Sequence, residues 1–158
     1  MKENFSELEY KKEDSKIRKI EIEDINRIFE IEKASFPSPW TKETLKMQIC
    51  SPIALNYLLE VHERIVGYIM CLLAYDECHV LSLAVDPKFR KKGYATKLLS
   101  YTLSTLKQRG VKYVFLEVRE NNFVAIHLYL KFGFEIIGRR KGYYQDTKED
   151  ALLMRLRL

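Results

Sequence analysis

Val85-Asp86-Pro87-Lys88-Phe89-Arg90-Lys91-Lys92-Gly93-Tyr94-Ala95 turns an apolar, strand-like run into a helical one. Upstream, Cys78 to Val85 reads as a strand. Downstream, Ala95, Leu98, Leu99, Thr102 and Leu106 recur at helical spacing until Arg109-Gly110 supplies a cationic last turn and a C-terminal glycine. A helix that opens on Gly93 behind a basic loop makes an anion site. The amides of its first turn have no partner in the helix, the dipole adds positive charge, and Gly93 and Ala95 let phosphates approach. A pyrophosphate suits such a cradle better than a carboxylate. The segment has neither the Gly-Lys-Ser/Thr of a Walker A loop nor a G-x-G-x-x-G dinucleotide fingerprint. Its plain alternative is a basic strand-to-helix turn with a glycine at the helix start.

Working outward, Ile17 and Lys19 suggest a short first strand, and Ile25, Ile28, Phe29 and Glu32 fall at helical spacing with Asp24 near the helix start. Ser35-Phe36-Pro37-Ser38-Pro39-Trp40 breaks that helix, and Thr41 caps a second one that runs through Leu45 and Ile49. Ala54–Val61, Ile65–Ala74 and Cys78–Val85, joined by short polar turns, predict an antiparallel meander. Beyond the Gly93 helix come the apolar run Tyr113–Val118, a helix capped by Asn121 or Asn122 and ended by Gly133, and strands Phe134–Arg139 and Ala151–Leu156. The order β-α-α-β-β-β-α-β-α-β-β predicts an α/β (α+β) domain whose mixed sheet carries helices on both faces. The link from Val85 to Tyr113 is long enough to cross over between parallel strands.

The chain of 158 residues has 27 Lys and Arg against 22 Asp and Glu, a net charge of +5, and 47% hydrophobic residues. That is the composition of one soluble domain, expected over residues 16–158 behind a charged tail or extension at 1–15. There is no bilayer-length apolar run and no apolar signal segment at the start, so a cytoplasmic location without a membrane partner is expected. Cys50, Cys71 and Cys78 have neither the number nor the spacing of a disulfide framework or a zinc site, and no metal is expected. Basic residues gather at Lys88–Lys92 and at Arg139-Arg140-Lys141 but otherwise interleave with acids, which argues against direct nucleic-acid binding.

Arg90-x-x-Gly93-x-Ala95 after Leu83-Ala84-Val85-Asp86-Pro87 resembles the acetyl-coenzyme A motif, R/Q-x-x-G-x-G/A, of the GCN5-related N-acetyltransferase (GNAT) superfamily. Within it the chain is similar to the RimI-type N-terminal protein acetyltransferases, which act on ribosomal-protein alanine. The resemblance runs from about Ile17 to Leu158 and rests on ordered segments. These are Phe36-Pro37 with Trp40, Asp76-Glu77, Ala84–Pro87, Leu116-Glu117-Val118-Arg119-x-x-Asn122, Ala125-Ile126-x-Leu128-Tyr129, Phe132–Phe134, and Tyr143-Tyr144 with Glu149-Asp150-Ala151. Three positions depart from the pattern: Ser38, Ser82 and the Gln145–Lys148 turn.

The resemblance implies a mostly antiparallel sheet of about seven strands with a V-shaped split that takes acetyl-CoA as co-substrate. Backbone groups at Leu83, Ala84 and Val85 then meet the pantetheine arm. Amides of Arg90, Lys91, Lys92, Gly93, Tyr94, Ala95 and Thr96 hold the pyrophosphate, the basic side chains of the loop meet the phosphates, and Asn122 binds a pantetheine amide.

Transfer to an amine needs a base for the ammonium and an acid for the departing thiolate. Glu117, within the apolar run Val114–Val118, is the candidate base, and desolvation there is expected to raise its pKa. The other reading of Glu117 is an ion-paired strand residue. Tyr129, where the superfamily places its acidic tyrosine, is the candidate acid, or else an aromatic of the helix core. His79 either assists deprotonation or faces solvent. Phe36, Pro37 and Trp40, with Tyr143 and Tyr144, form the expected acceptor walls.

The leading function is direct acetyl transfer to a protein N-terminus, with a ribosomal protein bearing Ala, Ser or Met as acceptor. Ribosome association or an auxiliary subunit is compatible with it. The alternatives are a lysine side chain, polyamine or aminoglycoside as acceptor, or a non-catalytic acetyl-CoA-binding or ribosome-associated module in which Arg139-Arg140-Lys141 meets RNA phosphates.

Overall fold

The computed structural model describes residues 14–158. In chain order the elements are β1 (Ser15–Lys19), α1 (Ile25–Ser35), α2 (Lys42–Ile49), β2 (Ala54–Val61), β3 (Arg64–Ala74), β4 (Glu77–Val85), α3 (Tyr94–Gln108), β5 (Tyr113–Arg119), α4 (Phe123–Lys131), β6 (Glu135–Arg140) and β7 (Ala151–Arg157). The predicted order of elements is the observed one. Of the tail expected over residues 1–15, residues 1–13 lie outside the described part. Ser15 already pairs with Val61, so the sheet begins there.

One sheet of order β1-β2-β3-β4-β5-β7-β6 is antiparallel except where β4 meets β5. Its residues alternate between two cores. On one face Tyr57, Leu59, Ile69, Val114 and Leu116 pack beneath α3 and α4; on the other, Leu58, Tyr68, Met70 and Ala84 pack beneath Ile28 and Ile31 of α1 and Leu45 of α2. The caps follow the local sequence. Thr41 Oγ1 accepts from the Thr44 amide at 3.2 Å, and Asn122 Oδ1 accepts from the Ala125 amide at 3.2 Å. Asp24 does not cap α1 with its side chain. Its carboxylate instead takes two 2.8 Å bonds from Arg18 and one from the Glu21 amide.

The feature that makes a site is the divergence of β4 from β5. The parallel ladder runs only from Glu77↔Tyr113 to Val80↔Leu116. At that point β4 carries an extra residue, Leu81, because Met70 opposes Ser82 while Cys71 opposes Val80. Such a bulge bends and twists its strand. Beyond it, Ser82–Val85 pair with β3 alone and Glu117–Arg119 with β7 alone, which leaves a V-shaped opening.

Candidate active site

A cleft of about 190 Å³ fills this opening. Its walls are Val80–Leu83 of β4, Leu116–Arg119 of β5, Asn122, Ala125 and Tyr129 of α4, and Glu32, Phe36, Ser38, Trp40 and Tyr144 around the mouth. Leu83, Glu117, Asn122, Tyr129, Phe36, Trp40 and Tyr144, each singled out from the sequence, therefore come together. Pro37 is exposed and does not line the cleft, and neither does His79, whose ring packs edge-on against Phe115 at 5.3 Å.

The strand wall is built by alternation. The Asp86 amide bonds to Val66 of β3 at 2.8 Å, so Ala84 also turns its backbone to β3 while Leu83 and Val85 turn theirs to the split. Ala84 thus has no group on the split; its side chain belongs to the core beneath α1. The Val85 carbonyl accepts from Arg90 Nε at 2.9 Å. What remains toward the split is the Val85 amide and the backbone of Leu83.

At the start of α3, Gly93 has φ +80° and Lys91 φ +64°. A Cβ at Gly93 would meet nothing within 4 Å, so the glycine serves the backbone conformation and not space. The Lys97 amide is the one that reaches back to the Gly93 carbonyl, at 3.0 Å, and the Ala95 and Thr96 amides precede it at the positive end of the helix. Lys91 and Lys92 are exposed beside them, whereas the Tyr94 side chain is in the core. Arg90 corrects one expectation: its guanidinium is committed to the Val85 carbonyl and, at 3.2 Å, to Ser35 Oγ, so its side chain braces α1 and does not join the cradle.

Glu117 corrects another. The apolar run around it predicts burial, yet its side chain is 32% exposed. Val114, Leu116 and Val118 face the core, while Glu117 points to the side that α1 and α2 leave open. Arg140 Nη2 lies 3.6 Å from its Oε1, so the ion-paired reading describes its geometry. The charge of Glu117 and its hydrogen bond with the Tyr143 hydroxyl raise the pKa of that phenol. Tyr129, 7% exposed, is pushed above the ordinary tyrosine value by burial, with Cys71 adding to it. The Phe134 amide bonds to the Tyr129 carbonyl at 3.1 Å behind Gly133, and the two rings pack 5.5 Å apart, which fixes the phenol at the cleft wall.

Two cleft residues, Glu32 and Arg119, and the Glu117 partner Arg140 were not read from the sequence as part of the site. Glu32, 3% exposed, accepts from the Tyr68 hydroxyl and, at 3.0 Å, from the Trp40 amide. A carboxylate on the apolar face of α1, in step with Ile25 and Ile28, was its signal. Arg119 and Arg140 have long-range partners in the β6–β7 loop and on β5, and nothing local marks them. Arg139 is bonded to Glu120 at 2.7 Å and to Asp150 at 2.9 Å. With Arg140 facing Glu117, two of the triplet's three basic side chains have carboxylate partners. Among the described residues no cluster of His, Cys, Asp and Glu could hold a metal, and no helix is long and apolar enough to cross a membrane.

A sheet split beside a helix N-terminus is the architecture of an acetyltransferase. The chain belongs to the acetyltransferase (GNAT) family, whose model matches residues 25–134. It is 39% identical over 145 residues to the [ribosomal protein bS18]-alanine N-acetyltransferase of Haemophilus ducreyi, covering 90% of this chain and 99% of that one. The crystal structure of the ribosomal-protein-S18-alanine N-acetyltransferase from Escherichia coli superimposes with a TM-score of 0.87 at 30% identity, covering 90% and 93% of the two chains. Arabidopsis thaliana Naa50 in complex with the bisubstrate analogue CoA-Ac-MVNAL shares the fold, with a TM-score of 0.81 at 22% identity over 90% and 97%.

Proposed function

We propose that this enzyme transfers the acetyl group of acetyl-CoA to the N-terminal amine of a protein, with the N-terminal alanine of ribosomal protein bS18 as acceptor. The observation that carries the reading is the cleft itself: a carboxylate on one wall and a phenol on the other, under an aromatic mouth, where β4 leaves β5. The relatives named for that acceptor span almost the whole chain. An acceptor on the ribosome implies work in the cytoplasm.

In this reading the Leu83 backbone and the Val85 amide extend the β4 edge toward the pantetheine arm. Ala95, Thr96 and the loop amides before them take the pyrophosphate, with Lys91 and Lys92 adding charge. Asn122 spends its carbonyl oxygen on the Ala125 amide, so its side-chain NH₂ is the group left for a pantetheine carbonyl. Acetyl-CoA, when bound, supplies the activated acyl carbon.

Glu117, through water, takes a proton from the N-terminal ammonium, and the neutral nitrogen forms its bond to the acyl carbon as the carbon–sulfur bond breaks. Tyr129 gives its proton to the sulfur, and the second proton that the nitrogen sheds on becoming an amide restores the phenol. Burial keeps that phenol protonated at neutral pH, as a donor must be. The products are the amide, free CoA and one proton returned to water. His79 lies outside the cleft and at most relays that proton. Phe36, Trp40 and Tyr144 hold the first residues of the acceptor, and Tyr143 orients Glu117.

The test is CoA release with peptides beginning Ala, Ser, Met or Met-Glu, an N-blocked lysine peptide, and spermidine. Turnover confined to free N-termini, with alanine preferred, is expected. Turnover only on lysine or spermidine would replace the acceptor, and silence on all of them would make the protein a binding module.

A further inference from the structure

Side chains from three distant parts of the chain meet over the mouth of the cleft. Arg119 lies two residues beyond Glu117 on the same face of β5. Its Nη1 and Nη2 hold both carboxylate oxygens of Asp146, at 2.9 and 3.0 Å. Its Nη1 also donates to the Thr147 hydroxyl at 3.0 Å, and Glu149 stands 3.6 Å away. The guanidinium carbon is 4.0 Å from the centre of the Tyr144 ring. Asp146 Oδ2, the oxygen that Arg119 Nη2 holds, also accepts a 2.8 Å hydrogen bond from the hydroxyl of Ser38, 108 residues earlier in the α1–α2 connection. Ser38, Arg119 and Tyr144 all line the cleft.

We propose that Arg119, Asp146 and Ser38 form a clasp that sets acceptor selectivity by holding the two mouth loops at the width of one extended chain end. The inference rests on the acceptor reading above. A bidentate arginine–carboxylate pair fixes distance and orientation together, and the same guanidinium seats the Tyr144 ring. The Ser38 hydroxyl is the movable part. It makes one exposed bond, which opens as an acceptor enters and closes behind it. Ser38 and the Gln145–Lys148 turn, far apart in the chain, touch in the fold. Arg119 is thus a positioning residue, and the Ser38–Asp146 bond is the element that discriminates.

The test compares Ser38→Ala and Asp146→Asn with wild type for kcat and KM on an alanine-starting peptide, the blocked lysine peptide and spermidine. KM for acetyl-CoA and the thermal midpoint are measured alongside. Loss of one exposed bond lowers the population of closed mouth, so Ser38→Ala is expected to raise peptide KM about three- to fivefold. Its kcat, acetyl-CoA KM and midpoint stay unchanged, and the ratio of spermidine to peptide turnover rises. Ser38→Thr, which keeps a hydroxyl, restores the peptide KM. Unchanged peptide KM and ratio in both variants overturn the clasp while leaving the acceptor reading intact. A parallel loss of kcat, acetyl-CoA KM and midpoint in both variants makes the trio merely structural and also overturns it. Wild-type silence on every free N-terminus overturns both readings.

Discussion

The Glu32 carboxylate accepts the hydroxyl hydrogen of Tyr68, with both side chains sealed between α1 and β3. Burial, then the charge of Glu32, pushes the Tyr68 pKa far up, so the phenol remains a donor at any working pH. The other oxygen of Glu32 holds the Trp40 amide, tying an acceptor wall to the core. Glu32→Ala takes the carboxylate acceptor from a buried hydroxyl and a part-buried amide, an expected loss of about 2–4 kcal/mol. Glu32→Gln keeps one acceptor oxygen and is expected to lose about half of that. Urea denaturation at neutral pH measures both, and equal midpoints for wild type and Glu32→Ala would refute the argument.

Glu117 and Tyr129 line the cleft from β5 and α4, in the proposed roles of base and acid. Glu117→Gln removes the proton acceptor but leaves the phosphate end of the cleft untouched. Its kcat is expected to fall by about 10²- to 10⁴-fold while the Kd for acetyl-CoA stays within a factor of about two. Tyr129→Phe leaves water as proton donor, and a smaller fall of about tenfold is expected. Stopped-flow turnover and calorimetric binding separate the two effects. A matching loss of acetyl-CoA binding in both variants would make these residues structural.

Local sequence carried the order of elements because each apolar run ends at a turn or a cap, down to Thr41 and Asn122. What it did not carry is non-local. The extra residue Leu81 leaves no mark in the run from Cys78 to Val85, yet it opens the split. The exposure of Glu117 depends on where α1 and α2 stop covering the sheet. Among the basic residues of the loop between β4 and α3, Arg90 is drawn toward Ser35, a contact across 55 positions that a charge count cannot see. The clasp spans 27 residues on one side and 108 on the other, and its members read separately as a strand arginine and two loop residues.

Two arginines of the part-buried ion pairs contribute to the acid limit of the fold. Hydrogen bonds from Arg18 hold the Asp24 pKa below the ordinary aspartate value against the cost of burial. For Asp86, burial raises the pKa, but the Lys88 amide and Arg27 outweigh it and the net shift is again down. A depressed carboxylate contributes stability that is complete above the unfolded value of about 3.9 and is lost as pH falls through the lower folded pKa. The thermal midpoint is therefore expected to hold steady from pH 7 to about pH 4.5 and then to drop. Arg18→Gln, which also frees Glu60, should start from a lower midpoint and show a shallower acid limb. Parallel limbs in the two proteins would exclude this pair as a source of the slope.

Gly67 stands on β3 directly behind the cleft strand. A Cβ there would lie 2.8 Å from the Ala84 carbonyl oxygen, 3.2 Å from Val85 Cγ2 and 3.3 Å from Leu98 Cδ1. The two carbons can yield by small rotations, but the oxygen belongs to the β4 backbone and moves only with the strand. Gly67→Ala is therefore expected to cost about 1–3 kcal/mol of stability. Because the strand that shifts carries Leu83 and Val85 toward the split, KM for acetyl-CoA should rise more than KM for the peptide. Steady-state kinetics with each substrate varied in turn, beside a urea titration, tests both halves. A destabilised variant with both KM values unchanged would mean that β4 absorbs the clash without moving its cleft edge, and that the split is stiffer than the bulge at Leu81 implies.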